Sequence, residues 1–161
     1  MRGKLIALVV LVFAIGLVGL SAVGGALYWD RVQTRAVQEA SADLPSQATD
    51  EIPKIFGYDY QTVERSLTDA ATLLTPDYRR EFEDRAAKDI IPQARDRQVV
   101  SQADVVGAGM LSAQRDSASV LVFMNRTVTD KSKQPVYDGS RLRVDYQKID
   151  GRWLIKYIQP V

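Results

Sequence analysis

Cysteine and histidine are both missing from this chain of 161 residues. Without cysteine there is no disulfide and no thiolate nucleophile, so any fold must be held by its core. Without histidine, the side chain that titrates nearest neutral pH is gone, and with it the commonest metal ligand. No spaced carboxylate loop stands in for it. The sequence therefore leads us to expect no metal and no cofactor. An excess of one charge is missing as well. All but Arg2 and Lys4 of the 21 basic residues, and all 20 acidic ones, lie after Trp29, giving that part a net charge of −1. Nucleic-acid binding needs a basic stripe to neutralise phosphates, and none is visible. Stretches such as "YRREFEDRAAKD" mix both signs instead, as a solvated helix face does.

Charge of either sign is absent from residues 5–29, "LIALVVLVFAIGLVGLSAVGGALYW". As a helix this run spans roughly 38 Å, more than the roughly 30 Å hydrocarbon core of a bilayer. We read it as a single transmembrane anchor behind a cytoplasmic tail of residues 1–4. The rival is a cleaved signal peptide with Gly24, Gly25 and Ala26 at the cleavage site, but the apolar run is longer than a usual signal core. Arg2 and Lys4 before the run are matched by Arg31 and Arg35 after it, so charge bias says little about orientation. The short leading tail and large following domain favour a single-pass cell-membrane protein with an extracytoplasmic C-terminal domain. Ser21 with Gly25, Ala22 with Ala26, and Gly16 with Gly19 thin one helix and allow a second helix to approach closely in lipid. Small residues are common in any membrane helix, so this face is a candidate for packing in the membrane and no more. Tyr28 and Trp29 suit the headgroup level.

Residues 30–50 read as a polar, helix-friendly stalk, interrupted where "PSQATDEIP" places Pro45 and Pro53. The domain is expected at 51–161. Asp59 is the expected N-cap of a first amphipathic helix, with Val63, Leu67, Ala70, Ala71 and Leu74 on its apolar face. Thr75 caps a second helix with Pro76 in its first turn, whose buried stripe is Tyr78, Phe82, Ala86 and Ile90. Pro92 ends that helix or begins a continuation. Strands come next: "VVSQADVVGAGML", bent or bulged at Gly107 and Gly109; "SASVLVFMNRTVT", apolar enough to be central; and "RLRVDYQKI". Asp150 and Gly151 then make a two-residue turn onto "RWLIKYIQ".

If Ile149 opposes Arg152, then Tyr146 opposes Ile155, Val144 opposes Tyr157, and Asp145 meets Lys156 on the other face. Helices followed by an antiparallel meander make an α+β fold, with helices on one side of a sheet that curls into a cone. Leu142, Val144, Tyr146, Trp153, Ile155 and Tyr157 are its expected lining or core. Enzymes with such cones use a buried acid–base pair. Asp145 points away from the interior by this register, and Asp104 is better read as solvated than as a base. Asp59 likewise reads as a cap, not a ligand. Asn125-Arg126-Thr127 spells a glycosylation acceptor but lies inside a strand. No catalytic residue is expected.

"EIPKIFGYDYQTVE", "LLTPDYRREFE", "VLVFMNRTVT" and "KIDGRWLIKYIQPV" resemble, in order and spacing, the Mce-associated membrane proteins of actinobacteria. Tyr58-Asp59-Tyr60, Leu74 to Tyr78 and Asp150 to Leu154 carry the likeness, with Pro76 where the family usually has Gly. The resemblance spans about residues 50–161. It implies a SnoaL-like or nuclear-transport-factor-2-like cone outside the membrane. The implied role is a non-catalytic accessory that stabilises or assembles a lipid or sterol importer, with permease and Mce-domain subunits and membrane lipid as partners. Two alternatives stay open: a cone that binds lipid against Tyr146, Trp153 and Ile155, and a scaffold subunit of another, secretion-type envelope complex.

Overall fold

The computed structural model describes residues 34, 35 and 37–161. The chain divides into two compact units, Met1–Gln38 and Glu39–Val161. In the first, described residues 34, 35, 37 and 38 are helical. The expected anchor, with Gly16, Gly19, Ser21, Ala22, Gly25 and Ala26, lies outside the described residues.

The second unit begins before residue 51, because helix α1, residues 39–56, is part of it. The prolines do not break this helix. Ala40, Leu44, Ala48, Ile52 and Ile55 recur along one face and are all buried in the main core. Burying three large aliphatic side chains at about 1.5–3 kcal/mol each offsets two interior prolines at roughly 3 kcal/mol each. The expected linker is therefore core. The helix stops where Gly57 N donates to Pro53 O at 2.7 Å. A Cβ on Gly57 would sit 2.6 Å from that same carbonyl oxygen, so only glycine fits the exit.

Tyr58–Asp59 form β1, a short strand paired with Ser101 and Val100. Asp59 is thus in the sheet and does not cap a helix. Its carboxylate accepts from Gln61 N at 2.8 Å, an Asx turn that leads toward α2, Val63–Ala71. Thr62 holds the cap position of α2, with no side-chain cap bond. Thr75 does stand at the cap of α3, Pro76–Arg85, but its hydroxyl makes no cap bond either. Its backbone is used instead: Thr75 N donates to Ile155 O at 2.9 Å, tying the helix entry to the last strand. Tyr78, Phe82 and Ala86 are buried as expected, while Ile90 is half-buried. After α3 the chain makes a π-helical turn, Ala86–Ile90, and resumes as α4, Ile91–Arg97. Pro92, near the start of α4, lacks the N–H that a regular i−4 bond would need, a known cause of such local rewinding. Gln98, at φ 52, ends the run in a left-handed conformation.

The remaining strands are β2 (Val100–Ala113), β3 (Ser117–Thr129), β4 (Val136–Ile149) and β5 (Arg152–Pro160). They form one antiparallel sheet in the order β1-β2-β3-β4-β5. β4 starts earlier than expected: residues 136–140, ahead of "RLRVDYQKI", already pair along β3. β2 shifts register between Val105 and Gly107, and again between Met110 and Ser112. These bulges bend the strand and increase its twist, which curls the sheet. Helices and inner sheet face then enclose one core, in which Leu74, Val120, Val122, Val144 and Ile155 are fully buried.

The final hairpin turns as expected, with Asp150 at φ 50 and Gly151 at φ 80. Ile149 faces Arg152 and Tyr146 faces Ile155, again as expected. Beyond that point the register slips. Lys156 is an extra residue on β5, so Asp145 pairs with Tyr157 and Val144 with Ile158. A single bulged residue reverses the sidedness of the rest of the strand. Ile158, not Tyr157, continues the lining, and Tyr157 is exposed. Leu142, Val144, Tyr146 and Ile155 are buried in the cone, and Trp153 is half-buried near the hairpin end.

Candidate functional site

The cone interior has two regions of different character. Around Tyr146 it is filled. Helix α1 lays Gln47 and Glu51, one turn apart, over the inner face of β4. The Tyr146 hydroxyl donates to Glu51 Oε2 at 3.1 Å, and Gln47 Nε2 donates to Glu51 Oε1 at 2.8 Å. Gln47 Nε2 also reaches Trp153 O at 3.3 Å, linking the helix to β5. Burial pushes the Glu51 carboxyl above its ordinary value, with the two donors and Lys54 pulling the other way. Burial also pushes the Tyr146 hydroxyl up, and the Glu51 charge adds to that rise. Each Glu51 oxygen has a donor, and the cluster closes on itself. The space expected for a lipid against Tyr146, Trp153 and Ile155 is thus occupied by the protein's own helix.

The second region is open. A cavity of about 420 Å³ lies between the end of α1, helix α3, and the ends of β3, β4 and β5. Its walls are mostly apolar, from Ile55, Phe82, Leu142 and Ile158, and it carries two arginines, Arg85 and Arg126. Arg85 reaches it from the last turn of α3 and lies beside the Tyr78 hydroxyl. Arg126 reaches it because β3 alternates: Val120, Val122 and Met124 face inward, and so does the next even position. Arg126 Nη2 donates to Asp138 Oδ2 at 3.1 Å. Its Nε is buried and has no hydrogen-bond partner among the described residues.

The outer face of the sheet carries the carboxylates weighed above as possible bases. Asp104 opposes Asn125 and is exposed, away from the interior. Asp145 accepts from Ser119 Oγ, and from Arg143 Nε at 2.9 Å, in place of the expected Lys156. Phe123, across from Gly107, is 42% exposed, and the bulged Val106 and Leu111 are 65% and 52% exposed. Among the described residues no three His, Cys, Asp or Glu side chains gather as a metal would require, and no helix is long and apolar enough to cross a membrane.

Glu51, Gln47 and Arg126 were the residues missed from sequence. The Gln47–Glu51 spacing of four was readable only if the helix ran through both prolines. Arg126 was readable from strand parity.

Residues 4–158 match the family described as "Uncharacterized protein Rv1363c/MT1408-like". The chain belongs to that family. A similar relative is "Outer membrane protein Rv1973" of Mycobacterium tuberculosis, 31% identical over 137 residues, covering 85% of this chain and 86% of the relative. Two solved structures share the fold. One is an IcmL-like type IV secretion system protein from Legionella pneumophila (TM-score 0.64, 9% identity, 74% of this chain and 91% of that one). The other is the periplasmic domain of DotI (TM-score 0.63, 10% identity, 73% of this chain and 92% of that one). At such identity the likeness is one of fold. It bears out the α+β cone of helices on a curled antiparallel sheet.

Proposed function

We propose that this chain is a non-catalytic subunit of a multiprotein complex in the cell envelope, and that its cone works by contact with protein neighbours. The observation that carries the reading is the closed interior at Tyr146, whose one buried acid, Glu51, is held by the protein's own Gln47 and Tyr146. A general base needs room for substrate beside it; Glu51 is buried, with each of its oxygens held by one of the protein's own donors. Fold likeness supports the envelope setting, since similar cones include the periplasmic domain of DotI and a type IV secretion system protein. The name of the Rv1973 relative points to the envelope too. Apolar side chains left in solvent on the outer face, Phe123 among them, suit a protein that is covered in its assembly.

A scaffold role of the secretion type draws on both fold and surface. The finer reading, an accessory of an Mce lipid importer anchored by residues 5–29, draws on the four sequence elements and the apolar run. Affinity capture of the full chain from membranes in mild detergent, with mass spectrometry of what comes with it, tests the proposal. Recovery in fixed ratio of membrane and extracytoplasmic subunits of one complex supports it, and their identity separates the two versions. Recovery of the chain alone contradicts both.

A further inference from the structure

The open cavity between α1, α3 and β3–β5 is not used by the scaffold role, and its chemistry is specific. A volume of about 420 Å³ lies within the range of pockets that hold small ligands, roughly 300–1,000 Å³. Apolar walls from Phe82, Leu142 and Ile158 suit a hydrocarbon chain. The two charged side chains in the lining, Arg85 and Arg126, are both cations, and no carboxylate lines the cavity. A buried donor without an acceptor is disfavoured, and Arg126 Nε is one. Asp138 does not meet this need, because it is 3.1 Å from Nη2, on another arm of the guanidinium. On the cavity side Arg126 lies in the lining with Arg85, and an anionic oxygen gives the strongest bond to a guanidinium.

We infer that this cavity binds a single-chain amphipathic anion, its acyl or alkyl chain against Phe82, Leu142 and Ile158 and its head group paired with the guanidinium groups of Arg126 and Arg85. A carboxylate and a phosphate head share the chemistry that Arg126 recognises. The site stands apart from the scaffold role, and either can fail without the other.

The test is equilibrium binding of radiolabelled decanoate and decyl phosphate to the full chain in phosphatidylcholine nanodiscs, with empty nanodiscs subtracted. Decanol and acetate serve as the neutral-head and chainless probes. Saturable binding near one per chain is expected for at least one of the two anions, and the tighter one identifies the head group. Decanol and acetate should each bind about tenfold more weakly or worse. Arg126→Met should weaken anion binding about tenfold and leave decanol unchanged. Ile158→Trp, which fills the cavity and keeps both arginines, should abolish binding of the anion. Unfolding midpoints of both variants, measured in parallel, identify any loss that comes from misfolding. Equal binding of decanoate and decanol, binding by acetate alone, or a folded Arg126→Met chain that binds as before would overturn the assignment.

Discussion

Tyr146 on β4 and Glu51 on α1 meet hydroxyl to carboxylate at 3.1 Å, both buried, although 95 residues separate them in the chain. The contact closes the cone with the segment expected to be a linker. Removing only the donor, as in Tyr146→Phe, leaves Glu51 Oε2 without its buried partner. Such a change costs about 1–3 kcal/mol. Urea unfolding of the full chain in nanodiscs should show a lower midpoint by that measure. An unchanged midpoint would mean that water already serves Glu51.

The same carboxyl sets a pH dependence. Burial raises Glu51 above its ordinary value of 4.5, so the folded chain holds that proton more tightly than the unfolded one. The Glu51 contribution to stability is then greatest below about pH 4.5 and declines as pH rises through the folded pKa, beyond which the loss is constant. Glu51→Gln should remove this decline. Asp130 has the opposite sense. Hydrogen bonds from Ser132, and then Arg97, lower its carboxyl from 3.8 to about 2. Its contribution is present above pH 3.8 and is lost as pH falls toward 2. Unfolding midpoints across pH should therefore change slope above pH 4.5 in Glu51→Gln and below 3.8 in Asp130→Asn.

Gly57 permits the exit from α1. In Gly57→Ala the new methyl meets the Pro53 carbonyl oxygen, a backbone atom that accepts the Gly57 N–H. The helix end must shift and give up that bond. We expect a loss of about 2 kcal/mol or more, within the upper range for single substitutions, read by thermal unfolding. A neutral result would show that the turn relaxes freely.

The bulge at Lys156 separates two neighbours on β5. Ile155 is fully buried and Tyr157 is 46% exposed. Ile155→Ala should destabilise by about 2–5 kcal/mol, the range for truncating a buried aliphatic side chain. Tyr157→Ala loses a tilted ring contact with Tyr78 at 5.6 Å, worth about 0.5–1.5 kcal/mol beyond area burial. Equal costs at the two positions would return Tyr157 to the interior.

These residues show what sequence reasoning could and could not reach. The order of elements from α2 to β5, the Asp150–Gly151 turn and the pairing of Tyr146 with Ile155 were legible, because each comes from local chemistry or strict alternation. The slip at Lys156 was not. One extra residue leaves the bulky pattern of "RWLIKYIQ" intact while changing which side chains face in. Helix α1 was hidden by Pro45 and Pro53, whose local penalty is plain in sequence while the burial that offsets it is a tertiary effect. With the helix went Glu51 and Gln47, and so the buried polar cluster at Tyr146. Arg126 obeys the alternation of β3, but a strand so apolar drew attention to its stripe and away from the charge that ends it.

The central claim is that the cone works by being held among other proteins. Native gel electrophoresis of membranes solubilised in mild detergent, probed for the full chain, addresses it most directly. The expected result is a single band far above the mass of one chain and its micelle. That band should collapse to monomer size when Phe123→Arg is introduced into a domain that still unfolds at its normal temperature. A band at monomer size in the unaltered protein would contradict the claim.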